Sequence, residues 1–176
     1  LSRENEDIWI FGYGSLMWNP GFSFVARTPA LVRGLHRSLC VWSQVWRGTV
    51  DRPGLVLGLD RGGACRGLAF RIAGAEAEAA LDYLDARERV TEVYHRRTVR
   101  LTLADGEKVQ AETYVVDRAH PQYAGRVAPD EAAQVIRASH GQSGSNVEYL
   151  ENTLRHLEEF GLDDGPLHAL ARRLRD

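Results

Sequence analysis

"RTVRLTLADGEKVQAETYVV", residues 97–116, carries the reading that decides the fold class. Val99, Leu101 and Leu103 alternate with polar residues up to Asp105-Gly106, and Val109, Ala111, Thr113 and Val115 alternate back. A period of two places one face on a core and the other in water, and Asp-Gly is among the strongest short hairpin signals. The segment therefore predicts two antiparallel strands around a tight turn. Upstream, strand-like runs rich in Val, Ile, Leu and aromatics occupy 8–12, 31–42, 55–59 and 65–72. Arg61-Gly62-Gly63 reads as the turn of a second hairpin, joining 55–60 to 65–72, and "SQVWRGTVDRPG" (43–54) reads as a loop.

Helical periodicity takes over elsewhere. Residues 75–89 carry alanines with Leu81 and Leu84 at helical spacing. "APDEAAQVIRASHG" (128–141) has Pro129 and two acids at its start and Gly141 as its stop. "SNVEYLENTLRHLEEFG" (145–161) opens with Ser145 and Glu148 at capping-box spacing, and a short helix runs from Pro166 to Leu174. Strands first and helices last argue an α+β fold with a small, mainly antiparallel, barrel-like sheet flanked by helices. At 176 residues the chain suits one domain, 1–176, with the polar residues 1–7 frayed.

Composition excludes several function classes. A formal charge of −2, with acids and bases mixed, leaves no polycationic footprint for nucleic acid. No apolar run approaches the roughly 20 residues of a membrane span, and no stretch reads as a signal peptide, so the expected compartment is the cytoplasm. The first residue is Leu1, which leaves room for residues upstream. Cys40 and Cys65 lie in apolar strand-like runs and read as reduced core thiols. The six histidines show no metal-ligand spacing, and no cofactor is expected. His36 and His95 read as surface or capping residues, with a pocket-facing place as the alternative.

Two features invite chemistry. Glu88 lies seven residues beyond Leu81, on the face that Ala77, Leu81 and Leu84 define, with Asp85 at its edge. One reading makes Glu88 a partner of Arg87, Arg89, Arg96 or Arg97, or turns it to solvent. The other makes it a partly desolvated general acid/base, its pKa raised from about 4.3 toward neutrality. "IWIFGYGSLMWNP" (8–20) breaks a buried strand with Gly12 and Gly14 around Tyr13, and Ser15 follows. A bulge or tight turn explains this, and so does a run of backbone N–H groups open to an anion or oxyanion. The stretch is neither a P-loop nor a nucleophile elbow, and no His stands out as a base for Ser15.

Taken together, "FGYGSL" (11–16), "YLDARE" (83–88), "YHRRTV" (94–99), "HPQYAG" (120–125) and "GQSGSNVEYL" (141–150) resemble the ChaC-like γ-glutamylcyclotransferases in order and separation. The similarity runs from about Trp9 to the C-terminal helix. It implies a small β-barrel flanked by helices, no cofactor, and glutathione as the substrate, cleaved to 5-oxoproline and cysteinylglycine. It implies that Glu88 is the acid/base, and that Ile10, Phe11, Gly12, Tyr13, Gly14, Ser15 and Leu16 bind the γ-glutamyl group. Tyr123 and Tyr149 would offer hydroxyls, and Arg37 or Arg47 would meet the glycine carboxylate. Eukaryotic members often carry Gly-Gly-Tyr after the catalytic segment; here "VTEVY" (90–94) makes Tyr94 the counterpart of that tyrosine. The alternatives are a cyclotransferase for another γ-glutamyl amine or dipeptide, a non-catalytic metabolite-binding module, and a Ser15 hydrolase. The oligomeric state is not legible.

Overall fold

The computed structural model describes residues 6–176. Among them the chain runs β1 (Ile8–Gly12), a 3₁₀ turn (Ser15–Met17), β2 (Ala26–Ser43), β3 (Gly54–Ile72) and α1 (Gly74–Glu88). It continues with β4 (Tyr94–Leu103), β5 (Lys108–Val116), α2 (Pro129–Ala138), β6 (His140–Gly141), β7 (Gly144–Ser145), α3 (Asn146–Glu159) and α4 (Gly165–Arg175). The residues form two compact units. The first holds the chain up to Arg37 with Leu59–Asp117, and the second holds Ser38–Gly58 with Arg118–Asp176. The long strands β2 and β3 each contribute residues to both. Of the residues expected to be frayed, 1–5 lie outside the described residues, while Asp7 pairs with Arg71 at 3.1 Å and accepts from the Gly74 amide.

In the first unit, strands in the order β1-β3-β2-β4-β5 close into a barrel. β1 with β3, β2 with β4 and β4 with β5 pair antiparallel, and the closing contact of β1 with β5 is parallel at Ile10 and Glu112. That closure is reinforced by the buried Thr113 hydroxyl, which donates to the Phe11 carbonyl at 2.9 Å. The 97–116 hairpin forms as its alternation requires, Val99 opposite Ala111 and Leu101 opposite Val109, with Gly106 at φ +89° in the turn. Period-two alternation also sorts β1. Phe11 joins Val32, Leu59, Ala69, Leu101 and Val115 in one cluster, while its neighbour Ile10 joins Ile72, Ala80, Leu84 and Tyr114 in another. The second cluster is where α1 packs on the barrel wall.

One sequence expectation is corrected here. Arg61-Gly62-Gly63 is not the turn of a hairpin, because β3 passes straight through it. Gly62 (φ +109°) and Gly63 (φ +65°) adopt the left-handed conformation inside a continuous strand, so they act as a bulge. His36 of β2 lies against this bulge, its Nδ1 3.0 Å from the Gly62 carbonyl oxygen.

In the second unit α2, α3 and α4 pack on one another around Ile136, Leu150, Leu154, Leu157, Leu167 and Leu170. The capping box of α3 is formed: Ser145 Oγ accepts from the Glu148 amide at 3.1 Å, and Glu148 Oε2 accepts from the Ser145 amide at 3.3 Å. The first turn of α3 is tied to the start of β3 through side chains. Buried Asn146 accepts from the Leu55 amide at 2.7 Å and donates to the Leu55 carbonyl at 2.9 Å, as a neighbouring strand would. Between α2 and α3, residues 140–145 make the two-stranded ladder β6–β7, with Gly144 at φ +116°. Cys40 and Cys65 are buried and form no disulfide, and among the described residues no helix is long and apolar enough to cross a membrane.

Candidate active site

β1 ends at Gly12 because the chain turns back on itself there. A side chain on Gly67, across from the strand end, would come within 2.3 Å of the Gly12 carbonyl oxygen and 2.8 Å of the Phe11 ring. Only glycine at 67 lets β1 and β3 approach so closely. The 3₁₀ turn then folds Leu16 and Met17 back over Gly12, where a Cβ would meet three atoms at 3.4 Å. Leu16 packs with Ile10 against the cluster that seats α1, and Met17 is buried. The Met17, Trp18 and Asn19 amides bond back to Gly14 and Ser15 carbonyls. Ile10 to Leu16 are thus brought together as a strand end and a compact loop.

Two guanidinium groups fasten this loop. Buried Arg37, on β2, donates from Nε to the Tyr13 carbonyl at 2.6 Å and from Nη2 to the Arg66 carbonyl at 2.7 Å. Arg87, on α1, donates from Nη1 to the Asn19 carbonyl at 2.7 Å and from Nη2 to Ser15 Oγ at 3.0 Å. Arg37, a candidate for a substrate carboxylate on sequence grounds, is therefore engaged with main-chain carbonyls beside Tyr13.

The last turns of α1 supply the carboxylate. Ala80 and Leu84 are buried and Leu81 half-buried, and Glu88 continues the line of Ala80 and Leu84 at steps of four residues. Tyr83, Leu84 and Asp85 of "YLDARE" each have an attachment of their own. The Tyr83 ring lies where a side chain on Gly21 would collide with it, and Leu84 fills the core. Asp85 accepts from the Tyr114 hydroxyl at 2.6 Å and pairs with Arg96 at 3.3 Å. Arg96 also lies 4.0 Å from Glu112. Two of the four arginines that might have paired with Glu88 are committed elsewhere: Arg87 to the loop and Arg96 to Asp85. Among the described residues the Glu88 carboxylate makes no hydrogen bond or ion pair.

Electrostatics follows from that arrangement. Burial holds the Glu88 pKa above the usual carboxylate value, because the charged form loses hydration, and the Arg87 charge pulls it back only in part. Burial, then the bond to Asp85, then the Asp85 charge push the Tyr114 hydroxyl above its ordinary range, with Glu88 adding to the shift and Arg96 opposing it. Tyr114 is thus held as a permanent donor next to the acid-bearing turn. Ser15 Oγ takes a hydrogen bond from a guanidinium, not from an imidazole, and the two histidines with a pocket-facing alternative have other partners: His36 on Gly62 and His95 on Asp117 at 3.1 Å. A Ser15 nucleophile activated by histidine has no support in this geometry. Among the described residues no group of three or more His, Cys, Asp or Glu side chains is arranged to hold a metal ion.

The family described as ChaC-like protein matches residues 8–176 of this sequence. The chain belongs to the ChaC-like family. Similar to this ChaC-like chain is the glutathione-specific gamma-glutamylcyclotransferase of Escherichia coli (strain K12), 36% identical over 167 residues, covering 95% of this chain and 72% of that protein. Glutathione-specific gamma-glutamylcyclotransferase 1 of Homo sapiens is 38% identical over 152 residues, covering 84% and 68%. Among solved structures, the gamma-glutamyl cyclotransferase specific to glutathione from yeast superposes with a TM-score of 0.86 at 25% identity, covering 97% of this chain and 96% of that one. The α+β barrel expected from the strand and helix patterns is therefore the fold of this ChaC-like chain.

The other expected site residues of the ChaC-like pattern lie as follows. Tyr94, at the start of β4, is half-buried against the cluster that holds Leu84 and Tyr114. In the second unit, Tyr123 bridges to Val41 and its ring lies under Arg118 at 5.6 Å. Tyr149 Oη accepts from the Leu57 amide at 2.9 Å, and the Arg47 guanidinium stacks on its ring at 5.6 Å. Arg47 also donates to the Ser145 carbonyl at 3.1 Å. Sequence reasoning missed Tyr114, whose signal is its place on the polar phase of β5, and it named Arg87 only as a partner for Glu88.

Proposed function

We propose that this protein is a glutathione-specific γ-glutamylcyclotransferase that converts glutathione to 5-oxoproline and cysteinylglycine. The observation that carries the reading is Glu88: a carboxylate with a raised pKa and no ion pair, on the helix turn whose Arg87 grips the glycine loop. The names of the E. coli, human and yeast relatives support glutathione as the substrate. The family match over 8–176 supports reading the chain as one cyclotransferase domain, and two buried, unbridged cysteines support a cytoplasmic setting.

The chemistry needs little beyond what these residues supply. The γ-glutamyl α-amine attacks the γ-carbonyl carbon of the same molecule, the new C–N bond closes a five-membered lactam, and the amide bond to cysteine breaks. Nucleophile and electrophile are already tethered, so holding the substrate in the reactive rotamer lowers the barrier, on the order of 7 kcal/mol for well-oriented intramolecular reactions. The attacking nitrogen goes from ammonium to lactam N–H and loses two protons; the departing nitrogen goes from amide N–H to ammonium and gains two. Glu88 carries these protons and ends as it began. A carboxyl whose pKa is raised toward the working pH serves both as acceptor and as donor. The backbone N–H groups that follow β1 face the substrate carboxylate or the developing oxyanion. Tyr13 walls one side of the site, and Arg37 and Arg87 keep the loop from collapsing around the substrate.

Incubation with glutathione and, separately, with γ-glutamyl-alanine, with the products separated by chromatography, tests the proposal. Equimolar 5-oxoproline and cysteinylglycine, with glutathione clearly preferred, is the expected result. A preference for γ-glutamyl-alanine would move the substrate assignment to another γ-glutamyl compound, and free glutamate would mean hydrolysis instead of cyclisation.

A further inference from the structure

In the reading above the loop binds the substrate and the acid transfers protons. Here a single side chain joins them. Arg87 precedes Glu88 directly in α1, and its fork spans Ser15 Oγ and the Asn19 carbonyl, the two ends of the turn that follows the glycines. The backbone of α1 at this point is fixed from below by Leu84, which is fully buried, and from the side by Asp85 through Tyr114 and Arg96. A loop held by Arg87 is therefore registered against a helix turn that cannot drift.

We infer that Arg87 is a positioning residue of the reaction: by bridging Ser15 and Asn19 from the place next to Glu88, it sets the distance between the substrate loop and the acid, and it fixes a cation beside the carboxylate. The inference rests on the cyclotransferase reading above. Two consequences separate the roles. The fork fixes loop geometry, so its loss weakens substrate binding. The charge favours the ionised form of Glu88, so its loss makes that carboxyl harder to ionise. On the strands packed against this turn, Tyr114 of β5 stays protonated as the donor to Asp85, and Arg96 of β4 is shared between Asp85 and Glu112.

Steady-state kinetics of 5-oxoproline release from glutathione, across pH, tests this with Arg87→Lys and Arg87→Met. Lysine keeps a cation but not a planar two-pronged donor. R87K is expected to raise KM about tenfold, the worth of a charge-assisted hydrogen bond or two, and to leave the acidic limb of kcat/KM where it stands in the wild type. R87M is expected to raise KM at least as much and to move that limb to higher pH. Unchanged KM in both variants, or an acidic limb that R87M does not move, overturns the inference. Should R87M fail to fold, as judged by its melting curve, R87K decides alone, and an unaltered KM overturns it. A wild-type protein that releases no 5-oxoproline removes the cyclotransferase reading and this inference together; an active wild type with unaffected variants removes the inference only.

Discussion

Glu88 is unusual for what its neighbours withhold. Of the arginines close to it in sequence, Arg87 is spent on the loop and Arg96 on Asp85, and the half-buried carboxylate, which makes no ion pair, has its pKa raised by burial. The sign of the effect on stability follows. A folded-state pKa above the unfolded value means the protonated form is the favoured one in the fold. That contribution is complete below the unfolded pKa and is lost as pH rises through the folded pKa. Glu88→Gln, which mimics the protonated acid, is therefore expected to melt at a higher temperature than the wild type at pH 8, with the gap closing toward pH 4. Melting temperatures of both proteins across that range check this, and a wild type that stays the more stable at pH 8 would argue against a desolvated Glu88. In turnover the same variant is expected to lose at least about a hundredfold, the usual worth of a general acid/base. Residue 92 makes a different point. Glu92, in the "VTEVY" stretch, adopts φ +54°, a left-handed conformation uncommon for a residue other than glycine.

At the scale of elements, two junctions carry the architecture and each is testable. Gly67 allows β1 and β3 to close on each other just where the glycine loop begins. Gly67→Ala is expected to cost about 1–3 kcal/mol by overpacking, read from urea denaturation, and to impair turnover through the displaced loop. Asn146 replaces a missing strand for Leu55. Asn146→Ala leaves a buried amide and a buried carbonyl without partners and is expected to cost about 2–4 kcal/mol in the same measurement. How legible these elements were depended on where the decisive contact lies. The 97–116 hairpin was readable because alternation and Asp-Gly are local signals, and the α3 cap because Ser145 and Glu148 meet within one turn. Gly62-Gly63 was misread because a turn and a bulge both demand positive φ. The difference lies in β3 being long enough to pair with both β1 and β2, which no local pattern reports.

For the molecule as a whole, the barrel was visible in outline from its strands, and the site was visible in part. Helical spacing alone set Glu88 on the face of Ala77, Leu81 and Leu84, and the interrupted strand marked the glycine loop. The grip of Arg37 and Arg87 on that loop was not readable, because each spans more than twenty residues of sequence and ends on a main-chain carbonyl, which leaves no pattern in residue types. The same holds for Tyr114 and Asp85, joined across 29 positions. What these contacts support is one idea: a desolvated carboxylate shuttling protons within a folded γ-glutamyl chain. Mass-spectrometric analysis of the products that wild-type and Glu88→Gln proteins release from glutathione tests it most directly. Equimolar 5-oxoproline and cysteinylglycine from the wild type, with neither from a folded Glu88→Gln variant that still binds glutathione, is the expected result. Free glutamate from the wild type, or undiminished 5-oxoproline from the variant, would contradict it.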